Sequence, residues 1–242
     1  MICEHHHYGD KRSQFGELYL PPGDGSFPVA VVIHGGFWRD RYGRKLMRPL
    51  CADLVARGWA AWNLEYRRLG HLSGGGWPAT FDDVGAGIDH LRLLTAPLDL
   101  TRVVTIGHSA GGHLAALAAT RPGPSVLVTG VVAQAGVLDL ERAWDWQLSN
   151  GVVEQLLGGA PAKVPDRYAA ASPAARLPLG VPALLTHGGK DDIVPPAMSE
   201  SFHAAARSAG DECELVLLPG EDHFGHLDPA NPLWTAVVEW IG

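Results

Sequence analysis

The sequence predicts an α/β domain whose mostly parallel sheet carries helices on both faces. Three observations lead to that expectation. Short β-like runs alternate with helical patterns along the chain. Several of those runs are continuously apolar, as strands buried on both faces are. The 242 residues, 46% of them hydrophobic, suit a single domain with one sizeable core.

The strands are expected at 17–20, 29–34, 60–64, 103–107, 131–135, 183–187 and 214–218. Helices between them follow a period near 3.6. Leu46, Leu50 and Leu54 line the first, with Pro49 near its start or at a kink. Val84, Ile88 and Leu91 line the second, and Leu114, Leu117 and Ala118 the third. Phe202, Ala205, Ala206 and Ala209 line another, which Gly210 stops. Leu233, Trp234, Val237, Val238 and Ile241 form a C-terminal amphipathic helix. Between about 136 and 179 the pattern loosens into Ala, Pro and two tryptophans. That stretch is too long for a plain loop and is expected to be a short helical cap over the active site.

A formal charge of −7 and the absence of a basic run argue against nucleic acid or an anionic membrane as the main partner. No apolar run approaches transmembrane length, and no secretory leader pattern is seen, so a soluble cytoplasmic protein is expected. Cys3, Cys51 and Cys213 lack metal-type spacing and suit a reducing compartment. His5-His6-His7 is read as part of a solvated tail.

Chemistry enters at Gly107-His108-Ser109-Ala110-Gly111-Gly112, between the run at 103–107 and a small-residue helix. A serine in such a Gly-x-Ser-x-Gly turn is held in a sharp bend with its hydroxyl thrust out over the sheet edge. A serine hydroxyl needs a base to take its proton and a third group to hold that base. In this arrangement the acid and the histidine follow the serine, each after a later strand. The first of those strands leads into His187-Gly188-Gly189-Lys190-Asp191-Asp192, where Asp191 is the first choice and Asp192 the second. Both could instead cap a helix starting near Pro195 or Pro196. The last strand leads into Pro219-Gly220-Glu221-Asp222-His223, which makes His223 the base, with His226 its rival. His34 and His187 end strands and are read as loop supports.

An oxyanion also needs donors, usually two backbone amides. Ala110, after the serine and at a helix N-terminus, supplies one. His34-Gly35-Gly36-Phe37-Trp38 supplies the others from Gly36 and Phe37, since its glycines let the backbone turn its N–H groups inward. Phe37, Trp38, Tyr66, Trp77, Trp144 and Trp146 are candidates for an aromatic pocket, with Trp38, Trp77 and Trp144 chosen as substrate-binding. The loop at 71–78 is expected either to border that pocket or to face solvent.

These motifs resemble the α/β-hydrolase superfamily, from about Gly16 to the end of the chain. His-Gly-Gly-Phe-Trp, Gly-His-Ser-Ala-Gly-Gly and His-Gly-x-x-Asp-x-x-Val-Pro carry the resemblance. Within that superfamily the chain is similar to small esterases related to hormone-sensitive lipase, to acetyl xylan and feruloyl esterases, and to kynurenine formamidases. Glu65-Tyr66-Arg67-Arg68-Leu69 adds to the formamidase likeness. Phe37 stands where the hormone-sensitive lipase group has a third glycine, and the large N-terminal cap of that group is missing. The resemblance implies a Ser109–His223–Asp191 triad, an acyl-enzyme, and neither metal nor organic cofactor. It implies a small ester as substrate, with an N-formyl amide as the alternative and a silent ligand receptor as the third reading.

Overall fold

The structure is a computed structural model that describes residues 2–70 and 73–242. Eight strands form one sheet: β1 (Ile2–His7), β2 (Phe15–Leu20), β3 (Phe27–Ile33), β4 (Ala60–Leu64), β5 (Leu98–His108), β6 (Gly130–Gln134), β7 (Ala183–Gly188) and β8 (Cys213–Leu218). Their spatial order is β1-β2-β4-β3-β5-β6-β7-β8. The β1–β2 and β2–β4 pairs are antiparallel, and every pair from β4–β3 to β7–β8 is parallel.

Period-two alternation explains why the central strands read as unbroken apolar runs. In β3, Val29, Val31 and Ile33 enter one core, whereas Ala30 and Val32 enter the other. The first core is closed by α2 (Ala79–Asp89), α3 (Ala110–Ala119) and α7 (Ala197–Ser208). The second is closed by α1 (Arg48–Ala56) and α8 (Pro232–Ile241), through Leu50, Leu54, Trp234 and Val237. In α8 all five expected apolar residues are buried. Pro49 sits in the first turn of α1, where its missing N–H costs nothing.

The 136–179 stretch contains three short helices, α4 (Leu140–Asp145), α5 (Val152–Leu157) and α6 (Pro165–Ala171), with a 3₁₀ turn at Pro173–Arg176. Its Leu140, Val152, Val153, Leu156 and Tyr168 are buried in the first core. The insertion is therefore continuous with the domain rather than a separate layer.

Three expectations need correction. His5, His6 and His7 belong to β1, with His5 opposite Glu17 and His7 opposite Phe15. An edge strand keeps polar side chains on its open side, so the histidine run hid its β pattern. Leu46 lies before α1 in a 3₁₀ turn and is 36% exposed, while Cys51 and Val55 join Leu50 and Leu54 on the buried face. Ala205 and Ala209 face solvent, and Met198, Phe202 and Ala206 make the contact of α7. Of the loop at 71–78, His71 and Leu72 lie outside the described residues. No described helix is long and apolar enough to cross a membrane.

Candidate active site

The parallel strands end at one edge, and the loops that leave β3, β5, β7 and β8 there carry every chosen catalytic residue. Ser109 joins β5 to α3 with φ 57° and ψ −119°, outside the conformations that L-residues favour. The flanking glycines permit this by close approach. A side chain on Gly107 would strike the Gly111 carbonyl, and one on Gly111 would strike the Ile33 carbonyl. Gly35 presses from the other side, where a Cβ would meet His108 O at 2.6 Å and Ser109 Cβ at 3.0 Å.

Asp191 and His223 meet as the order along the chain predicted. His223 Nδ1 donates to Asp191 Oδ2 at 2.6 Å, and both residues are buried. That bond fixes the tautomer and leaves Nε2 of His223 as the acceptor nitrogen. Asp191 Oδ1 accepts the amides of Ile193 and Val194, each at 2.9 Å. His187 Nε2 lies 3.1 Å from Asp191 Oδ2, so two imidazoles share that oxygen. Burial alone would raise the Asp191 carboxyl, but the hydrogen bonds from His187 and His223 outweigh it and hold it well below the usual carboxylate range.

The two rivals fall away. Asp192 is exposed, and neither aspartate caps α7, whose N-cap is Pro196. His226 is fully buried, with Nδ1 on Thr186 Oγ1 at 3.2 Å and Nε2 without a hydrogen-bond partner among the described residues. No hydrogen bond joins it to Asp191 among the described residues, and burial pushes its pKa well down.

His108 brings the serine and the base together: its Nε2 donates to the His223 carbonyl at 2.8 Å. Ser109 Oγ has no hydrogen-bond partner among the described residues. The bond between a nucleophile and its base commonly tightens only around substrate.

The loop after β3 turns through three left-handed residues, Gly36 (φ 109°), Phe37 (φ 50°) and Trp38 (φ 56°). Among the described residues no acceptor takes the amides of Gly36, Phe37 or Ala110. A buried pair supports this loop from below. His34 places Nδ1 2.7 Å from Gly35 O and Nε2 2.9 Å from Glu65 Oε1. Tyr66 stacks on His34 at 4.5 Å and donates its hydroxyl to His34 O. Arg67 forks onto Asp83 at 2.6 and 2.8 Å, and Leu69 N donates to Trp38 O. The Glu65–Leu69 motif is thus the frame of the loop.

The aromatic pocket expected from sequence is not assembled as chosen. Trp38 is fully buried, because its left-handed backbone turns the indole into the core toward His113. Trp77 packs on Phe81 and lines a groove with Leu117, Arg121 and Arg176. Trp144 is half-buried and donates to Glu154, tying α4 to α5. Neither touches Ser109 or His223 through any described hydrogen bond or ring contact. A ring the sequence reading overlooked stands closer. Phe224 follows the base, is 57% exposed and meets the His223 ring edge-on at 5.4 Å. Its position beside the histidine was the available signal.

A strained serine elbow, with acid and imidazole on later strand ends, is the arrangement found in serine hydrolases of the α/β-hydrolase fold. Residues 17–206 match the BD-FAE family model, and the chain belongs to that family. It is 32% identical over 198 residues to Esterase LipQ of Mycobacterium tuberculosis, covering 76% of this chain and 46% of LipQ. Against Esterase LipC of the same organism it is 27% identical, covering 84% of this chain and 55% of LipC. The chain thus spans about half the length of these curated relatives. Among solved structures, esterase Est2 of Thermogutta terrifontis superposes with a TM-score of 0.78 at 26% identity, covering 98% of this chain and 89% of Est2. Est2 has also been solved with butyrate bound and phosphoramylated by tabun, each at 25% identity and TM-score 0.78, covering 98% of this chain and 91% of that one.

Proposed function

We propose that this chain is a carboxylesterase that cleaves small carboxylic esters through an acyl-enzyme on Ser109. The observation that carries the reading is the 2.6 Å Asp191–His223 bond, held beside the strained serine by His108. Ser109 Oγ attacks the ester carbonyl carbon while His223 Nε2 takes its proton. Asp191 holds the imidazole in the required tautomer and steadies the imidazolium. The negative oxygen of the tetrahedral intermediate faces the free amides of Gly36, Phe37 and Ala110. Collapse expels the alcohol, which takes the proton from His223. Water then attacks the acyl-enzyme with His223 again as base, releasing the acid and restoring Ser109.

The butyrate held by Est2 supports a short acyl group. Its modification by tabun is what an activated nucleophile in this fold undergoes. The insertion meets the oxyanion loop, where Arg39 donates to Ser149 O at 3.0 Å, and this supports its role as a cap beside the site. The exposed Phe224 ring gives the alcohol or acyl group an apolar neighbour at the mouth.

The test is kcat/KM on p-nitrophenyl acetate, butyrate and octanoate beside N-formylkynurenine, with Ser109→Ala as blank. Turnover of the short esters, lost in the blank, is expected. A preference of about 100-fold for the formamide would replace the esterase reading with a formamidase one, since discrimination of that size takes about 2.7 kcal/mol of transition-state binding. No turnover of any substrate would remove both.

A further inference from the structure

The oxyanion loop has an unusual backbone that something must hold. Gly36, Phe37 and Trp38 are consecutive and all left-handed, and two of them carry side chains. Each such residue costs about 1–2 kcal/mol and persists only where its surroundings over-determine it. The main chain ties the far end of the loop, through Leu69 N to Trp38 O at 2.7 Å and Arg39 N to Gly36 O at 3.0 Å. The side-chain anchor is the indole of Trp38, which is fully buried. Its N–H has one described acceptor, Nδ1 of His113, at 3.2 Å.

His113 lies one turn beyond the serine, and its amide donates to Ser109 O. No solvent reaches its ring, which meets Trp38 edge-on at 5.2 Å and Phe81 edge-on at 5.9 Å. On the far side Nε2 lies 2.8 Å from the carbonyl of Ala171, the last residue of α6. That carbonyl fixes the hydrogen on Nε2 and leaves Nδ1 to accept. Burial pushes the His113 pKa down to about 4, so the same tautomer holds across neutral pH. The mechanism above gives this imidazole no proton to move. A ring with a donor at one end and an acceptor at the other is what bridging an indole N–H to a carbonyl requires.

We infer that His113 is a positioning residue for the oxyanion loop, clamping Trp38 to the end of helix α6 so that the Gly36 and Phe37 amides stay turned toward Ser109. This rests on the esterase reading. The bond from Arg39 to Ser149 O makes a second tie from the same loop to the insertion. The insertion and the oxyanion amides are therefore set by one network, and the final histidine of Gly-His-Ser-Ala-Gly-Gly-His is its hub.

The test compares His113→Leu, His113→Gln, Trp38→Phe and the double variant His113→Leu/Trp38→Phe on p-nitrophenyl butyrate. Each is melted to establish that it is folded at assay temperature. His113→Leu and Trp38→Phe should each lower kcat about 10–100-fold with KM within about threefold, as loss of oxyanion donors does. Because both break one bond, the double variant should be no worse than the poorer single within about threefold. His113→Gln, which keeps an acceptor and a donor, should recover most of the rate. Multiplicative losses in the double variant, or wild-type kcat in either single, would overturn the inference. Should His113→Leu fail to fold, Trp38→Phe decides alone. Fluorophosphonate labelling separates the two levels of the argument. If wild type is labelled on Ser109 yet the His113 and Trp38 variants keep full rate, only this inference fails. If wild type takes no label there, the esterase reading fails first.

Discussion

His108 donates its Nε2 hydrogen to the main-chain carbonyl of His223 across 2.8 Å, and the two rings stand 4.6 Å apart. The residue before the serine therefore holds the loop that carries the base. His108→Leu leaves that carbonyl unpaired in a buried place, which costs about 1–3 kcal/mol locally. We expect its kcat on a butyrate ester to fall about tenfold or more, and His108→Gln, which keeps a donor, to lose less. Equal rates for wild type and His108→Leu would contradict the assignment.

Asp191 accepts from His223, Ile193 and Val194, and His187 Nε2, which serves the Val194 carbonyl at 2.8 Å, lies 3.1 Å from the same carboxylate. Asp191→Asn turns an acceptor into a donor at the oxygen that orients the base. A kcat lower by about 10³–10⁴ is expected, with KM little changed. Asp192→Asn, at the exposed neighbour, should be kinetically silent. Steady-state kinetics of the pair checks both.

Three buried histidines, His108, His113 and His226, set a direction for stability against pH. Burial first, then the charge of His223, lowers His108 from an ordinary 6.5 to about 3, and burial lowers His113 to about 4. Below pH 6.5 the unfolded chain binds protons that the folded chain refuses. Stability is thus full above 6.5 and falls as pH drops toward 4, by about 4 kcal/mol per pH unit for the three groups together. Asp191, whose folded value is depressed, adds a further loss as pH falls below its ordinary 3.8. Urea midpoints between pH 7 and pH 4 measure this slope. His113→Gln removes one of these three groups and should flatten the slope by about a third, and an unchanged slope would contradict the account.

Gly35 is where the oxyanion loop touches the serine elbow. The methyl group of Gly35→Ala would lie 2.6 Å from His108 O and 3.0 Å from Ser109 Cβ, both on rigid backbone or its first side-chain atom. Overpacking of this kind costs about 1–3 kcal/mol. We expect a lower melting temperature and a kcat loss larger than the unfolded fraction explains. A variant with wild-type melting and rate would mean that the two loops can separate freely.

The central sheet was legible because β3, β5, β6 and β7 are buried on both faces, and an unbroken apolar run records that directly. The order serine, acid, histidine was legible because each of those residues follows its own strand. Side-chain direction was not. Trp38 reads as a pocket residue beside two glycines, yet three left-handed residues send it inward. β1 was hidden because an edge strand of histidines has no apolar alternation to detect. His34 and His187 read as loop supports, since nothing in their spacing tells which atoms their ring nitrogens reach.

The central claim is that Ser109 is the nucleophile. The most direct measurement is incubation with a fluorophosphonate, followed by intact mass and peptide mapping of wild type and Ser109→Ala. The account predicts one equivalent of label on Ser109, complete loss of ester hydrolysis with it, and an unlabelled variant whose kcat is lower by about 10⁴–10⁶. A label on another residue, or ester turnover undiminished in Ser109→Ala, would contradict it.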